Sequence, residues 1–91
     1  MKITAYTTSG CFYCIQLKEL FKRANLEYEL VECHDVDPLF VENYKQFKKD
    51  YPDVGGYPFV VIDGERIGGI VETAKFLKEK GLVSSRKNER T

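Results

Sequence analysis

Residues 2–14, which read KITAYTTSGCFYC, contain the most informative pattern in the sequence. Residues 2–6 alternate in the manner of a β-strand, and residues 7–10 form a polar turn. After the turn, apolar side chains recur at helical spacing, and this stripe comprises Cys14, Leu17, Phe21 and Ala24, widened by Ile15 and Leu20. Cys11 and Cys14 are therefore predicted to lie where a first strand passes into a first helix.

The next part of the chain predicts a second strand and a second helix. Asn25 stands where the first helix would stop, and residues 28–32 form the strand. Asp37-Pro38 predicts a helix start, because Asp can cap a helix and Pro suits its first position. The predicted apolar stripe of that helix comprises Phe40, Tyr44, Phe47 and Tyr51.

The last third predicts a β-hairpin followed by a helix. Residues 59–62 are a continuous apolar strand, Asp63-Gly64 is a two-residue hairpin signal, and residues 65–67 return antiparallel. Gly68-Gly69 interrupts the regular secondary structure between the last strand and a third helix. That helix is predicted to end near Gly81.

The predicted order is βαβαββα, an α/β fold in which one small mixed sheet carries helices on both faces. The first half is a βαβ unit, so its two strands run parallel with a right-handed crossover. A chain of 91 residues forms a single domain. We expect this domain to span residues 1–83, with a flexible polar tail at 84–91 that contains no apolar residue.

Composition excludes several classes of function. The 14 basic and 14 acidic residues cancel, which argues against a nucleic-acid-binding or anionic-membrane-binding surface. No apolar run approaches the ~18 residues of a membrane span. An odd count of three cysteines, with no secretory signal at the start, predicts a reduced protein in the cytoplasm.

The pair Cys11 and Cys14 has the placement that thiol chemistry requires. The first turn of a helix carries N–H groups without partners and a partial positive charge, so a thiolate at Cys11 would be stabilised there. Cys14 lies one turn deeper on the same face and can close a disulfide with it. We therefore predict an enzyme with Cys11 as the nucleophile and Cys14 as the resolving thiol.

Two other interpretations of the pair remain open, namely half of a zinc site and two unreactive thiols. Zinc needs two more ligands, and the candidates Cys33 and His34 are adjacent rather than spaced as a ligand pair. No metal site is predicted. Cys33 is interpreted as a bystander at a strand end, and His34 as a surface residue.

The chain resembles the glutaredoxin family over residues 2 to about 80. Residues 5–14 are similar to the strand, loop and Cys-Pro-Tyr-Cys motif of that family. Residues 56–62 are similar to its Thr-Val-Pro block, and residues 67–69 to the Gly-Gly that opens its last helix.

The resemblance implies the thioredoxin-like fold, with a four-stranded sheet in the order 2-1-3-4 flanked by three helices. It also implies glutathione as co-substrate, with no permanently bound cofactor. Tyr57 and Pro58 would hold glutathione through their backbone, and a cis Tyr57–Pro58 peptide is expected. The other implied glutathione contacts are the wall residue Tyr13, the helix-start amides of Gly69, Ile70 and Val71, and the acidic Glu72.

The sequence departs from the family pattern in the charges of the site and in the rigidity of the first turn of its helix. Phe12 replaces the motif proline, and Thr8 replaces a common basic residue. Gly56-Tyr57 stands where the family has Thr-Val. We expect a basic residue of the second helix, Lys45 or Lys48, to supply a carboxylate contact.

The resulting prediction is a glutathione-dependent thiol–disulfide oxidoreductase that reduces protein disulfides or glutathione mixed disulfides. The expected partners are glutathione and disulfide-containing proteins, with ribonucleotide reductase as one candidate, and the expected state is a monomer. Two alternatives stay open. One is a thioredoxin-like electron donor to a ribonucleotide reductase, and the other is a glutaredoxin that binds an iron–sulfur cluster.

Overall fold

A computed structural model of the protein describes residues 1–83, and the predicted tail at 84–91 lies outside the described residues. The elements in chain order are β1 (Ile3–Thr7), α1 (Phe12–Arg23), β2 (Glu29–Glu32), α2 (Val41–Asp50), β3 (Phe59–Ile62), β4 (Glu65–Gly68) and α3 (Ile70–Glu79). No helix in this part of the chain has the length and apolarity needed to cross a membrane.

The strands form one mixed sheet in the order β2-β1-β3-β4, which confirms the predicted thioredoxin-like fold. β1 pairs parallel with β2 and antiparallel with β3, and β3 pairs antiparallel with β4. Because β1 is central, its carboxyl end at Thr7 leads directly into the loop that carries Cys11.

Both faces of the sheet are covered, as the unbroken burial of β3 requires. Val60 and Ile62 face the core formed with α1 and α3, which also contains Leu17, Phe21 and Leu77. Phe59 and Val61 face a second core, built around Phe47 of α2 and Cys33. Alternate residues of a strand point to opposite faces, so four apolar residues in a row serve two cores.

The first helix differs from its predicted stripe at two positions, Ile15 and Ala24, and Ala24 is the half-buried C-cap residue after the helix ends. Cys14, Leu17, Leu20 and Phe21 are its buried residues, whereas Ile15 is 55% exposed. Ile15 therefore lies beside the core-facing stripe and adds apolar surface near the first turn of α1.

The second helix begins later than predicted, at Val41 rather than at Asp37-Pro38. Asp37 does act as a cap, since its carboxylate accepts the Leu39 N–H at 2.9 Å, but it caps an isolated turn. Phe40 then leaves the helical region with φ −123° and ψ 0°. The ring of Phe40 packs against that of His34, with 5.2 Å between the ring centroids. The local sequence does not reveal this contact.

The hairpin prediction is confirmed. Asp63 and Gly64 have φ values of 52° and 82°. Positive φ at both central residues is the conformation that a two-residue type I′ turn requires. Gly81, with φ 74°, follows the end of α3 as predicted.

Candidate active site

Cys11 is the N-cap residue of α1. Its backbone is extended, with φ −98° and ψ 110°, and its sulfur accepts the backbone N–H of Cys14 at 3.2 Å. The same sulfur lies 3.8 Å from the carbonyl oxygen of Tyr57. A sulfur in this position takes the place of the oxygen of an ordinary N-cap side chain, and a negative charge on it faces the positive end of the helix.

Cys14 has a different environment. Its side chain is only 2% exposed, one turn inside the helix. Burial, followed by the hydrogen bond with Cys11, raises the pKa of Cys14 to about 12. Cys14 therefore remains a protonated thiol at neutral pH, whereas the partly exposed Cys11 faces solvent. This asymmetry supports Cys11 as nucleophile and Cys14 as resolving thiol.

A first cavity of about 310 Å³ lies beside this pair. It is lined by the seven residues that the resemblance singled out as glutathione contacts: Tyr13, Tyr57, Pro58, Gly69, Ile70, Val71 and Glu72. The Tyr57–Pro58 peptide is cis, as expected. The structure therefore brings the whole predicted set together at one groove.

The start of α3 forms one end of this cavity. Gly69 is the N-cap, and its N–H already donates to the carboxylate of Glu72 at 3.0 Å. Gly68 precedes it with φ 124°, and a Cβ there would come within 3.1 Å of Glu72, so glycine is required. Of the three amides that the sequence predicted for a ligand carboxylate, that of Gly69 is therefore engaged within the chain. The amides of Ile70 and Val71 remain as the candidates.

A second cavity, of about 240 Å³, was not predicted. Its lining residues are Thr8, Cys33, His34, Asp35, Tyr44 and Tyr57. Tyr57 thus lines both cavities. Its hydroxyl oxygen is buried and has no hydrogen-bond partner among the described residues. Burial, followed by the charge of Cys33, raises the pKa of Tyr57 to about 12, so the phenol stays neutral.

The interpretation of His34 as a surface residue is wrong. Its side chain is only 15% exposed. Nε2 lies 3.5 Å from a Glu32 carboxylate oxygen, and Nδ1 lies 3.3 Å from the hydroxyl of Ser9. The ring therefore ties the end of β2 to the loop that carries Cys11.

The carboxylate contact expected from Lys45 or Lys48 of α2 stays a prediction. Lys45 pairs with Glu42 on the exposed side of the helix at 3.7 Å. Lys48 donates to the carbonyl of Val54 at 3.0 Å. Among the described residues that line the two cavities, none is Lys or Arg.

Cys33 lies just after β2 and is only 1% exposed, within the second core. Burial raises its pKa above the ordinary value of 9.0. Among residues 1–83, no three His, Cys, Asp or Glu side chains are grouped so that they could hold a metal ion. That Cys33 takes no part in the chemistry remains a prediction.

We expect Cys33→Ser to lower the free energy of unfolding by about 1 kcal/mol, because a hydroxyl replaces a thiol in an apolar core. Turnover should stay near the wild-type rate. Urea denaturation and a disulfide-reduction assay measure the two effects. A large loss of turnover in a folded variant would give Cys33 a chemical role.

The sheet order, together with a CxxC pair at the start of α1, defines a thioredoxin-like thiol–disulfide oxidoreductase. The family model described as Glutaredoxin matches residues 3–67. Glutaredoxin 1 of Rickettsia prowazekii is 32% identical over 80 residues, covering 88% of this chain and 81% of that protein. The chain belongs to the glutaredoxin family.

Other relatives agree with this assignment. Mitochondrial glutaredoxin-2 of Pongo abelii is 30% identical over 84 residues, and the match covers 89% of this chain and 49% of that longer protein. The crystal structure of Francisella tularensis glutaredoxin 1 with cacodylate has a TM-score of 0.66 at 26% identity, covering 89% and 95% of the two chains. A buckwheat glutaredoxin–glutathione complex shares the fold, with a TM-score of 0.68 at 21% identity and coverage of 88% and 71%.

Proposed function

We propose that the protein is a glutathione-dependent oxidoreductase that reduces protein disulfides or glutathione mixed disulfides through Cys11 and Cys14. The observation that carries the proposal is the first cavity, which extends from the backbone of Tyr57, beside the Cys11 sulfur, to the first turn of α3. Family membership supports glutathione as the thiol, and the buckwheat protein of the same fold was crystallised with it.

Glutathione suits the two ends of this cavity. Its γ-glutamyl end carries both a carboxylate and an ammonium group. The backbone amides of Ile70 and Val71, in the first turn of α3, suit the carboxylate. The carboxylate of Glu72, already fixed by the Gly69 N–H, suits the ammonium. The ring of Tyr13 would cover the ligand, and the backbone of Tyr57 would pair with its cysteinyl part.

The proposed reaction is a two-step thiol–disulfide exchange. The Cys11 thiolate attacks the glutathione sulfur of a mixed disulfide, and the other thiol leaves and takes up a proton. In one route a second glutathione thiolate attacks the glutathione sulfur of the Cys11 adduct, which releases oxidised glutathione and restores the Cys11 thiolate. In the other route Cys14 attacks the Cys11 sulfur of the adduct and releases glutathione as a thiol. When Cys14 attacks, its proton is lost, Cys11 and Cys14 become a disulfide, and the two electrons have passed to the substrate.

A second candidate function is a thioredoxin-like electron donor to a protein such as ribonucleotide reductase. The observation that favours it is the exposed apolar surface beside Cys11, where Phe12, Tyr13 and Ile15 are 65%, 59% and 55% exposed. Such a surface suits a protein substrate. In either case we propose a monomer acting in the cytoplasm, and the odd number of three cysteines in the sequence supports a reducing compartment.

A coupled assay distinguishes the two functions. The protein is supplied with a glutathione mixed disulfide of a small thiol, and NADPH consumption is followed with either glutathione plus glutathione reductase or thioredoxin reductase alone. We expect turnover only with glutathione. Turnover with thioredoxin reductase and none with glutathione would refute the proposal.

We expect Glu72→Gln to raise KM for the glutathione mixed disulfide roughly two- to fivefold, the range for one exposed charge pair, with little change in kcat. Glutamine keeps an acceptor for the Gly69 N–H, so the helix cap is preserved. Glu79→Gln, at the other end of α3, is the matched control and should leave KM unchanged. An equal effect in both variants would contradict the ammonium contact.

A further inference from the structure

Tyr57 stands between the two cavities. Its backbone carbonyl lies 3.8 Å from the Cys11 sulfur. Its ring packs on the second core, with its centroid 5.4 Å from that of Phe47, and lines the second cavity together with Cys33 and Tyr44. A peptide whose cysteine sulfur meets Cys11 against the Tyr57 backbone therefore has one end in each cavity.

The orientation of such a peptide rests on the proposed function. If the γ-glutamyl end lies at the start of α3, the carboxyl end of the peptide enters the second cavity. In free glutathione this end is a carboxylate. In a longer or amidated peptide it is a neutral amide.

The second cavity suits the amide. Asp35 contributes an exposed carboxylate, whereas the Lys45 and Lys48 ammonium groups are directed elsewhere. His34 faces Glu32, so the imidazole is already beside an acid. The other polar groups are neutral hydroxyls, and that of Tyr57 is buried without a partner in the described chain. A free carboxylate would meet repulsion from Asp35, and none of the described residues that line this cavity is a Lys or Arg that could compensate.

We propose that the second cavity selects peptide thiols whose carboxyl end is in amide linkage over those that end in a free carboxylate. The preferred substrate class is thus a disulfide of a carboxyl-amidated or carboxyl-extended γ-glutamylcysteinyl peptide. Asp35 is the specificity-determining residue.

The test compares two substrates in a single turnover. Pre-reduced protein is mixed at neutral pH and low salt with the mixed disulfide of a small thiol and either glutathione or glutathione carboxamide. In both cases the Cys11 thiolate attacks the peptide sulfur, and the small thiol leaves. We expect the amide to react roughly two- to fivefold faster, the effect of one exposed charge contact. Added salt should reduce this ratio.

Three variants test whether Asp35 causes the difference in rate between the amide and the free acid. Asp35→Asn should bring the amide-to-acid rate ratio close to one, and Thr8→Lys should invert it. The matched control is Asp63→Asn. Asp63 accepts the Lys2 N–H in the β3–β4 turn, at the end of β1 remote from Cys11, so this variant should keep the wild-type ratio.

The outcomes separate the two proposals. If both glutathione substrates react but the free acid is equal or faster, the cavity does not select amides and this inference fails alone. The same holds if Asp35→Asn keeps the wild-type ratio. If neither substrate reacts while a disulfide without glutathione is reduced, the proposed glutathione function fails and the inference falls with it.

Discussion

Cys11→Ser is expected to abolish disulfide reduction, to the level of uncatalysed exchange. Cys11 is the partly exposed cysteine at the start of α1, whereas Cys14 and Cys33 are 2% and 1% exposed, with pKa values raised by burial. Neither buried thiol can take over the attack, because the thiolate is the nucleophile in disulfide exchange. A hydroxyl in place of the Cys11 thiol does not perform this chemistry.

The variant offers an internal control for folding. Serine is a favourable N-cap residue, so it keeps an acceptor for the Cys14 N–H and the start of α1 should remain intact. Thermal unfolding should therefore match the wild type while turnover is lost. Residual activity near the wild-type rate would assign the nucleophile to another residue.

Cys14→Ser is expected to affect two kinds of substrate differently, namely glutathione mixed disulfides and intramolecular protein disulfides. Glutathione mixed disulfides should still be turned over, because external glutathione can resolve the intermediate on Cys11. Reduction of an intramolecular protein disulfide should fall by at least roughly a hundredfold. The lost thiol is held next to the intermediate, and external glutathione does not match its effective concentration.

Serine places a hydroxyl at a site that is only 2% exposed, so Cys14→Ser can also lower the stability of the fold. Cys14→Ala lacks this hydroxyl and is the control for that effect. Both variants should show the same split between substrates, measured by steady-state assays on a glutathionylated peptide and on a protein disulfide. Equal loss on both substrates in folded variants would mean that Cys14 does more than resolve the intermediate.

The fold was predictable where local signals decide the structure. Asp63-Gly64 demands positive φ at two adjacent positions, and the four apolar residues of β3 leave no solvent face. The placement of Cys11 followed from a strand, a polar turn and a helical stripe in immediate succession. These features depend on neighbours in the chain and therefore appear in the sequence.

The features that were missed depend on contacts between distant segments. α2 begins at Val41, and its N-cap residue Phe40 packs on His34 after the end of β2. The ammonium of Lys48 donates to the Val54 carbonyl, a contact that helical periodicity does not reveal. The second cavity arises where the loop after β1, the end of β2, α2 and Tyr57 meet. Periodicity assigns each residue to an element but does not say where the ends of long side chains lie.

The most direct test of Cys11 as the nucleophile is to trap the first intermediate of the reaction, the mixed disulfide between Cys11 and glutathione. Cys14→Ser protein is mixed with a glutathionylated peptide in the absence of free glutathione, and the products are digested and analysed by mass spectrometry. We expect glutathione on Cys11, the peptide released as a free thiol and Cys33 unmodified. Finding the peptide rather than glutathione on Cys11, or an adduct on Cys33, would contradict the assignment of Cys11 as the nucleophile that accepts glutathione.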